Sequence, residues 1–368
     1  MDAALCKERV EKARSQLKAS GADALYIFSS ANMRYFSGAR MGPSDRVAAF
    51  IISREAEPWF IVPAFEGNRT KGAAALGEVI PWEEHEDPFE RIASTLKKNG
   101  LGAAKVALDG ETWLWVLEGL RRALPDVEFV NGERLINGCR MFKNAKELAY
   151  MERACAHAGQ ALTAAIADFK EGMTETEFAQ LLSQKYKSEA GVIGGGLVQS
   201  GPRASDPHIH TGDRPIVRGD AVVLDTGTGV EGFHSDVSRT LMVGDVPEEV
   251  QKAWAALKDS QQAAFDAIRP GATCESIDAA ARRWLDERGY GEYFTHRLGH
   301  GIGFEGHEAP YLVKGNTLKL EPGMTTTVEP GIYVPGRFGM RIEDDIAVTD
   351  DGCRILSHMI PRDTPWPM

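Results

Sequence analysis

In the second half of this 368-residue chain, carboxylates and imidazoles sit inside β-rich or glycine-rich runs instead of on solvated helix faces. That placement constrains the fold more than any other feature. Asp225 ends the apolar run Ala221-Val222-Val223-Leu224, which reads as a buried strand. An unpaired carboxylate at the end of such a strand is expensive, so something cationic is expected to meet it. Asp236 follows within Gly232-Phe233-His234-Ser235-Asp236-Val237-Ser238-Arg239-Thr240, and a hairpin return can bring it back beside Asp225. Two carboxylates sharing one site push one towards protonation unless a cation intervenes, and hard divalent ions prefer such oxygen ligands. Glu329 follows the strand-like run Thr325-Thr326-Thr327-Val328, and Glu343 lies between Arg341-Ile342 and Asp344-Asp345-Ile346. Acids inside β-rich segments are rare without a partner.

His300 and His307 bracket Gly301-Ile302-Gly303-Phe304-Glu305-Gly306, where glycines let the backbone approach closely and imidazoles can face a common cleft. One can bind metal while the other handles protons. The chain has 9 His, and His208, His210, His296, His300 and His307 fall in two short stretches near the acids. Three shorter motifs fail on context. Gly301-x-Gly303-x-x-Gly306 follows a His/Arg-rich turn, and Pro310 stands where a dinucleotide-binding helix should begin. Asp225-Thr226-Gly227 has no second copy with which to share a proton, as an aspartic-protease dyad requires. His307-Glu308 begins like a zincin helix, but Tyr311 occupies the position of the second ligand.

The length points to two domains, and 43% apolar residues give each a core. A net charge of -11 leaves no basic surface for nucleic acid or an anionic membrane, and no apolar run is long enough to span a bilayer. The first twenty residues place Leu5, Val10, Ala13 and Leu17 at helical spacing among charges, a surface helix in place of a signal peptide. Five cysteines, Cys6, Cys139, Cys155, Cys274 and Cys353, are spread without a C-x-x-C pair and are expected as buried thiols in a reducing cytoplasm. Strand-like runs at 24–29, 47–53, 58–63, 105–108 and 127–130 alternate with helical periodicity at 87–98 and 111–123. Residues 1–142 therefore read as an α/β domain. A long helix is expected from about Lys143 to Phe169, with a capping box at Thr174–Glu177 for the next and further helices at 248–267 and 275–288. Residues 143–368 form the second, α+β domain.

The strings Asn32-Met33-Arg34-Tyr35-Phe36-Ser37-Gly38 and Arg140 to Met151, with the five acid and histidine motifs in order, resemble the metal-dependent creatinase/aminopeptidase family, peptidase family M24. The likeness covers nearly the whole chain and lies nearest the Xaa-Pro dipeptidase (prolidase) and aminopeptidase P branch. It implies a pita-bread catalytic domain: two related α+β halves around a curved antiparallel sheet, after a smaller N-terminal domain. It also implies two divalent ions, manganese or cobalt foremost with zinc or iron as alternatives. By carry-over Asp225 chelates one ion, His300 and Glu329 the other, and Asp236 and Glu343 bridge both. Glu329 is then the proton acceptor for the attacking water, and His208 and His307 hold substrate and stabilise the tetrahedral intermediate. His296 falls near the substrate carboxylate, and Arg341 stands beside the bridging glutamate where its charge orients a ligand. The expected substrate is a small peptide cut at an Xaa-Pro bond, and the expected assembly is a homodimer whose first domain helps close the partner's site. A sister hydrolase of a creatine- or ectoine-like amide or amidine is the alternative within enzymes, and a non-catalytic peptide-binding protein the alternative outside them. His210 departs from the common pattern and reads as a loop residue.

Overall fold

Ala24–Phe28 (β1) is buried at every position, which a strand tolerates only when both of its faces are covered. The computed structural model describes residues 3–42, 44–73 and 76–362; the first two residues of the expected N-terminal helix lie outside the described residues. Strand β1 pairs antiparallel with Ala49–Ser53 (β2) and parallel with a later strand, Lys105–Leu108. With Trp59–Pro63 (β3), Glu78–Trp82 (β4), Lys105–Leu108 (β5) and Glu128–Asn131 (β6), the sheet runs β4-β3-β2-β1-β5-β6. The helix Ala3–Ser20 buries Leu5, Val10, Ala13 and Leu17, as its spacing predicts. The helix Pro88–Lys98 starts where Asp87 caps the Phe89 N–H and proline fills the first turn. Helix Leu114–Ala123 begins later than its periodicity indicates, and the helix Ala31–Ser37 and strand β4 carried no periodic signal of their own.

The chain divides into two compact units, Met1–Arg140 and Met141–Met368. In the second, Asn144 and Glu147 close a capping box that starts the helix Ala145–Ala167, and Thr174 and Glu177 do the same for Glu175–Glu189. This helix pair covers an antiparallel sheet of Gly194–Ser200 (β7), Ala221–Val230 (β8), Phe233–His234 (β9) and Val237–Met242 (β10). A second pair, Glu248–Ala267 and Cys274–Asp286, packs on Gly299–Gly301 (β11), Glu308–Leu312 (β12), Thr325–Val328 (β13), Gly331–Val334 (β14) and Phe338–Arg341 (β15), with Asp344–Val348 (β16) and Cys353–Ile355 (β17). Each half thus pairs a helical hairpin with antiparallel strands, the pita-bread architecture. Strand β8 does not stop at Asp225, as the end of the apolar run had indicated, but continues through glycine and threonine to Val230. Backbone pairing with β7 and β10 keeps it extended after the hydrophobic pattern fades. All five cysteines are free thiols, four of them buried.

Candidate active site

Backbone pairing brings the acids together. In the β8–β10 ladder Ser238 stands opposite Asp225 and Val237 opposite Thr226, so Asp236, one residue before β10, arrives beside Asp225. Gly227 permits that crossing: a Cβ there would lie 2.1 Å from the Ser235 carbonyl oxygen. His300 is central in β11, its N–H donating to Thr327 Oγ1 at 3.1 Å, while the Glu329 N–H donates to Leu298 O at 2.8 Å. Glu343 is joined to the other half of the domain by its own N–H to Ser238 O at 3.0 Å and by Ser238 Oγ to its Oε2 at 2.8 Å.

Three sets of donor atoms each lie within 4.8 Å of one another: Asp225, Asp236 and Glu343; His300, Glu329 and Glu343; and Asp236, His300 and His307. They line a cavity of about 360 Å³ with His208, His296, Arg297 and Arg341, a volume near the small end of ligand sites. Arg341 is buried. It donates to Asp225 Oδ2 at 2.7 Å, Ser238 Oγ at 2.9 Å and Tyr333 Oη at 3.0 Å, so the carboxylate it grips directly is Asp225, and it reaches Glu343 only through Ser238.

The electrostatics are those of acids crowded out of water. Burial, followed by the charge of Asp225, holds Asp236 well above the usual carboxylate range. Burial and Asp236 do the same for Glu343, and burial raises Glu329 to about 8 against the pull of Arg341. His300 Nδ1 faces Gly301 O at 3.1 Å, and since a carbonyl only accepts, Nδ1 carries the hydrogen. Its Nε2 lone pair then faces Glu329 Oε1 at 3.4 Å and Asp236 Oδ2 at 3.9 Å. Burial and the neighbouring His307 hold the ring near a pKa of 4, so it is neutral at pH 7. Ionised, the two carboxylates would repel that lone pair; a proton on a carboxyl relieves the repulsion, which is the sense of the raised Glu329 and Asp236 pKa values, and a cation between the groups would relieve it for all of them. Four carboxylates and an imidazole suit hard or borderline divalent ions.

His307 stacks on His300 with ring centroids 3.7 Å apart, and its Nδ1 lies 3.2 Å from Arg297 Nη2. Burial and Arg297 both lower its pKa. His208 is exposed at the rim. His296 places Nδ1 on Arg297 O at 2.8 Å and Nε2 on Tyr333 Oη at 2.9 Å, with burial lowering its pKa to about 4. Its ring is thereby oriented, and both nitrogens already have protein partners. His210 is exposed and does not line the cavity. Sequence reasoning missed Tyr333, Ser238, Arg297 and Asp345. Asp345, raised to about 7 chiefly by burial, accepts the Asp236 N–H at 3.1 Å and the Cys155 thiol at 3.3 Å. A polar pair within the run Val237-Ser238-Arg239-Thr240 was the one available signal, whereas Tyr333 reads as an ordinary β-former.

This constellation on this fold defines a metallohydrolase site, and comparison with known proteins places it in a family. Residues 149–350 match metallopeptidase family M24, and residues 9–142 match the creatinase/prolidase N-terminal domain. The Xaa-Pro dipeptidase of Lactobacillus helveticus is 33% identical over 363 residues, covering 95% of this chain and 96% of that protein. The crystal structure of dipeptidase PepE from Mycobacterium ulcerans superimposes with a TM-score of 0.91 at 33% identity, covering 99% of this chain and 97% of the other. A recombinant prolidase from Thermococcus sibiricus gives 0.90 at 31% identity, covering 99% and 98%. The chain belongs to metallopeptidase family M24, and membership implies divalent metal ions.

Proposed function

We propose that this protein is a dinuclear metal-dependent dipeptidase cutting Xaa-Pro bonds, with Asp225, Asp236, His300, Glu329 and Glu343 as the ligands. The observation that carries the reading is the convergence in one small cavity of four carboxylates and the His300 Nε2 lone pair, which lies 3.4 Å from Glu329 and 3.9 Å from Asp236. Asp236, His300 and Glu343 each belong to two of the three donor sets, and of these the two carboxylates, with two oxygens apiece, would be the residues able to serve both ions. When bound, two such ions lower the pKa of a water molecule and polarise the scissile carbonyl. Glu329, which lines the cavity beside His300, would take the water's proton. His307 and His208 donate hydrogen bonds to the oxygen that gains charge. Arg341 holds Asp225 in place through its 2.7 Å contact. The names of the relatives, Xaa-Pro dipeptidase and prolidase, support proline after the scissile bond.

Manganese is the proposed native ion, a homodimer the proposed assembly, and the cytoplasm the proposed location. Free cysteines support the last, and no helix among the described residues is long and apolar enough to cross a membrane. The test is a panel of Xaa-Pro dipeptides, Xaa-Pro-Yaa tripeptides, ectoine and creatine with added manganese, together with light scattering. Fastest turnover of Xaa-Pro dipeptides is expected. Faster turnover of ectoine or creatine than of any peptide would contradict the reading, and a preference for tripeptides would make it an aminopeptidase.

A further inference from the structure

Behind the glycine-rich turn that carries His307 lies an ion pair with no part in the chemistry described above. Lys143 Nζ lies 2.6 Å from Glu308 Oε1, with side chains 1% and 4% exposed. Glu308 immediately follows His307 in the chain and opens β12, opposite Gly301. Lys143 is itself held by its own N–H on Gly323 O at 2.8 Å, next to the bridge between Phe142 and Met324 that leads into β13.

The turn is built around this lysine. A Cβ on Gly303 would lie 2.4 Å from Lys143 Cε and 2.8 Å from Glu308 Oε1, so a larger residue there would push the tips of both side chains out of place. Gly303 O accepts the His234 N–H at 2.8 Å, and the Glu305 N–H points at Glu308 Oε2 at 3.4 Å. The backbone on either side of residues 304–307 is thereby fixed. Among the described residues the exposed His307 ring rests on His300 and Arg297. Its Cα is carried by the turn, whose last residue, Glu308, is tied through its carboxylate to Lys143 and the Glu305 N–H.

We propose that Lys143 and Glu308 are positioning residues that hold His307 over the reacting centre, acting on turnover without touching substrate or metal. The proposal rests on the reading of His307 given above. A buried ion pair is a weak source of stability, because desolvation of both ions offsets their attraction and apolar replacements of similar volume are often tolerated. Its value here is geometric, since an ångström-scale displacement of a group that meets the transition state lowers the rate steeply.

The test separates placement from stability. Lys143→Met/Glu308→Leu, His307→Ala and the triple combination are prepared with saturating manganese, and metal content, melting temperature, KM and kcat are measured on the best peptide of the panel. The paired apolar variant should melt near the parent, keep its metal and KM, and lose kcat by about tenfold or more, while the triple variant should fall little below His307→Ala alone. Parental kcat in the paired variant, or a loss that multiplies fully with that of His307→Ala, would overturn the proposal. Glu308→Gln, which keeps the shape and removes the charge, decides the matter if the paired variant does not fold. A kcat lowered about threefold or more with metal retained supports positioning, and an unchanged kcat overturns it. Full activity of His307→Ala alone would instead remove the underlying role of His307, an outcome distinct from failure of the pair.

Discussion

His307 is exposed where the five acid and imidazole groups around it are buried or half-buried, so its removal should separate binding from turnover. His307→Ala is expected to retain metal and lose most of kcat, by roughly 10²-fold as for loss of a general acid or an oxyanion donor. Metal analysis beside steady-state rates checks it, and joint loss of metal and rate would make His307 a ligand. A second expectation concerns protons. Glu329 has its folded-state pKa raised to about 8, and Asp236 and Glu343 move the same way. The folded metal-free protein therefore binds protons that the unfolded chain releases, and its stability falls as pH rises towards 8. His296 and His300, lowered to about 4, act oppositely but only below the ordinary histidine pKa near 6.5. Between about pH 6.5 and 8 the acids decide. Thermal melts of chelator-stripped protein should drop across that window, and a rise would contradict the electrostatic account. The convergence of Asp225, Asp236, His300, Glu329 and Glu343 was legible because acids in β-rich runs have few bland explanations. The grip of Arg341 on Asp225 was not, because residues 116 positions apart meet only through the strand register.

At the level of strands and helices, Arg239 is one of several buried side chains that join the two halves of the catalytic domain. Arg239 in β10 donates from Nε to Pro361 O, from Nη1 to Ser238 O and Glu343 O, and from Nη2 to Asp344 Oδ1 and Ile360 O. Every guanidinium N–H is used, and the residue is fully buried. Arg239→Met would strand the Asp344 charge and several carbonyls in the interior, a loss of about 3–5 kcal/mol, readable as a lower urea midpoint. Lysine should not rescue it, having three donors in place of a planar fork of five. A loss below about 1 kcal/mol would show that the network relaxes without it. The capping box at Thr174–Glu177 and amphipathic periodicity made the long helices of this domain readable. A capping box that the sequence reading did not single out, Asn144 with Glu147, fixes the start of Ala145–Ala167, just after the buried Lys143. The reach of β8 past Asp225 could not be read locally, since its glycines and threonines stay extended through partners on β7 and β10.

For the whole molecule the governing quantity is charge. Four carboxylates crowd one cavity against the single charge of Arg341, and the two divalent ions of the proposed site would bring four positive charges to it. Their pKa shifts belong to the group as a whole, because the acids titrate together. The two-domain, pita-bread organisation was legible because several motifs in order carry more information than any one. Helix Ala31–Ser37 and strand β4 stayed hidden, the helix because it is short and buried on most sides, and β4 because its pairing with β3 and not a buried face of its own keeps it extended. An ion bound only by the folded state stabilises it by RT ln(1 + [L]/Kd), about 4 kcal/mol at a thousandfold excess, and a domain of this size gains about 2–4 °C per kcal/mol. The most direct test is a manganese titration of chelator-stripped protein near neutral pH, following the melting midpoint and Xaa-Pro hydrolysis together. Both should rise together and saturate at two ions per chain. A stripped protein that melts at the same temperature and cleaves equally fast would contradict the dinuclear site.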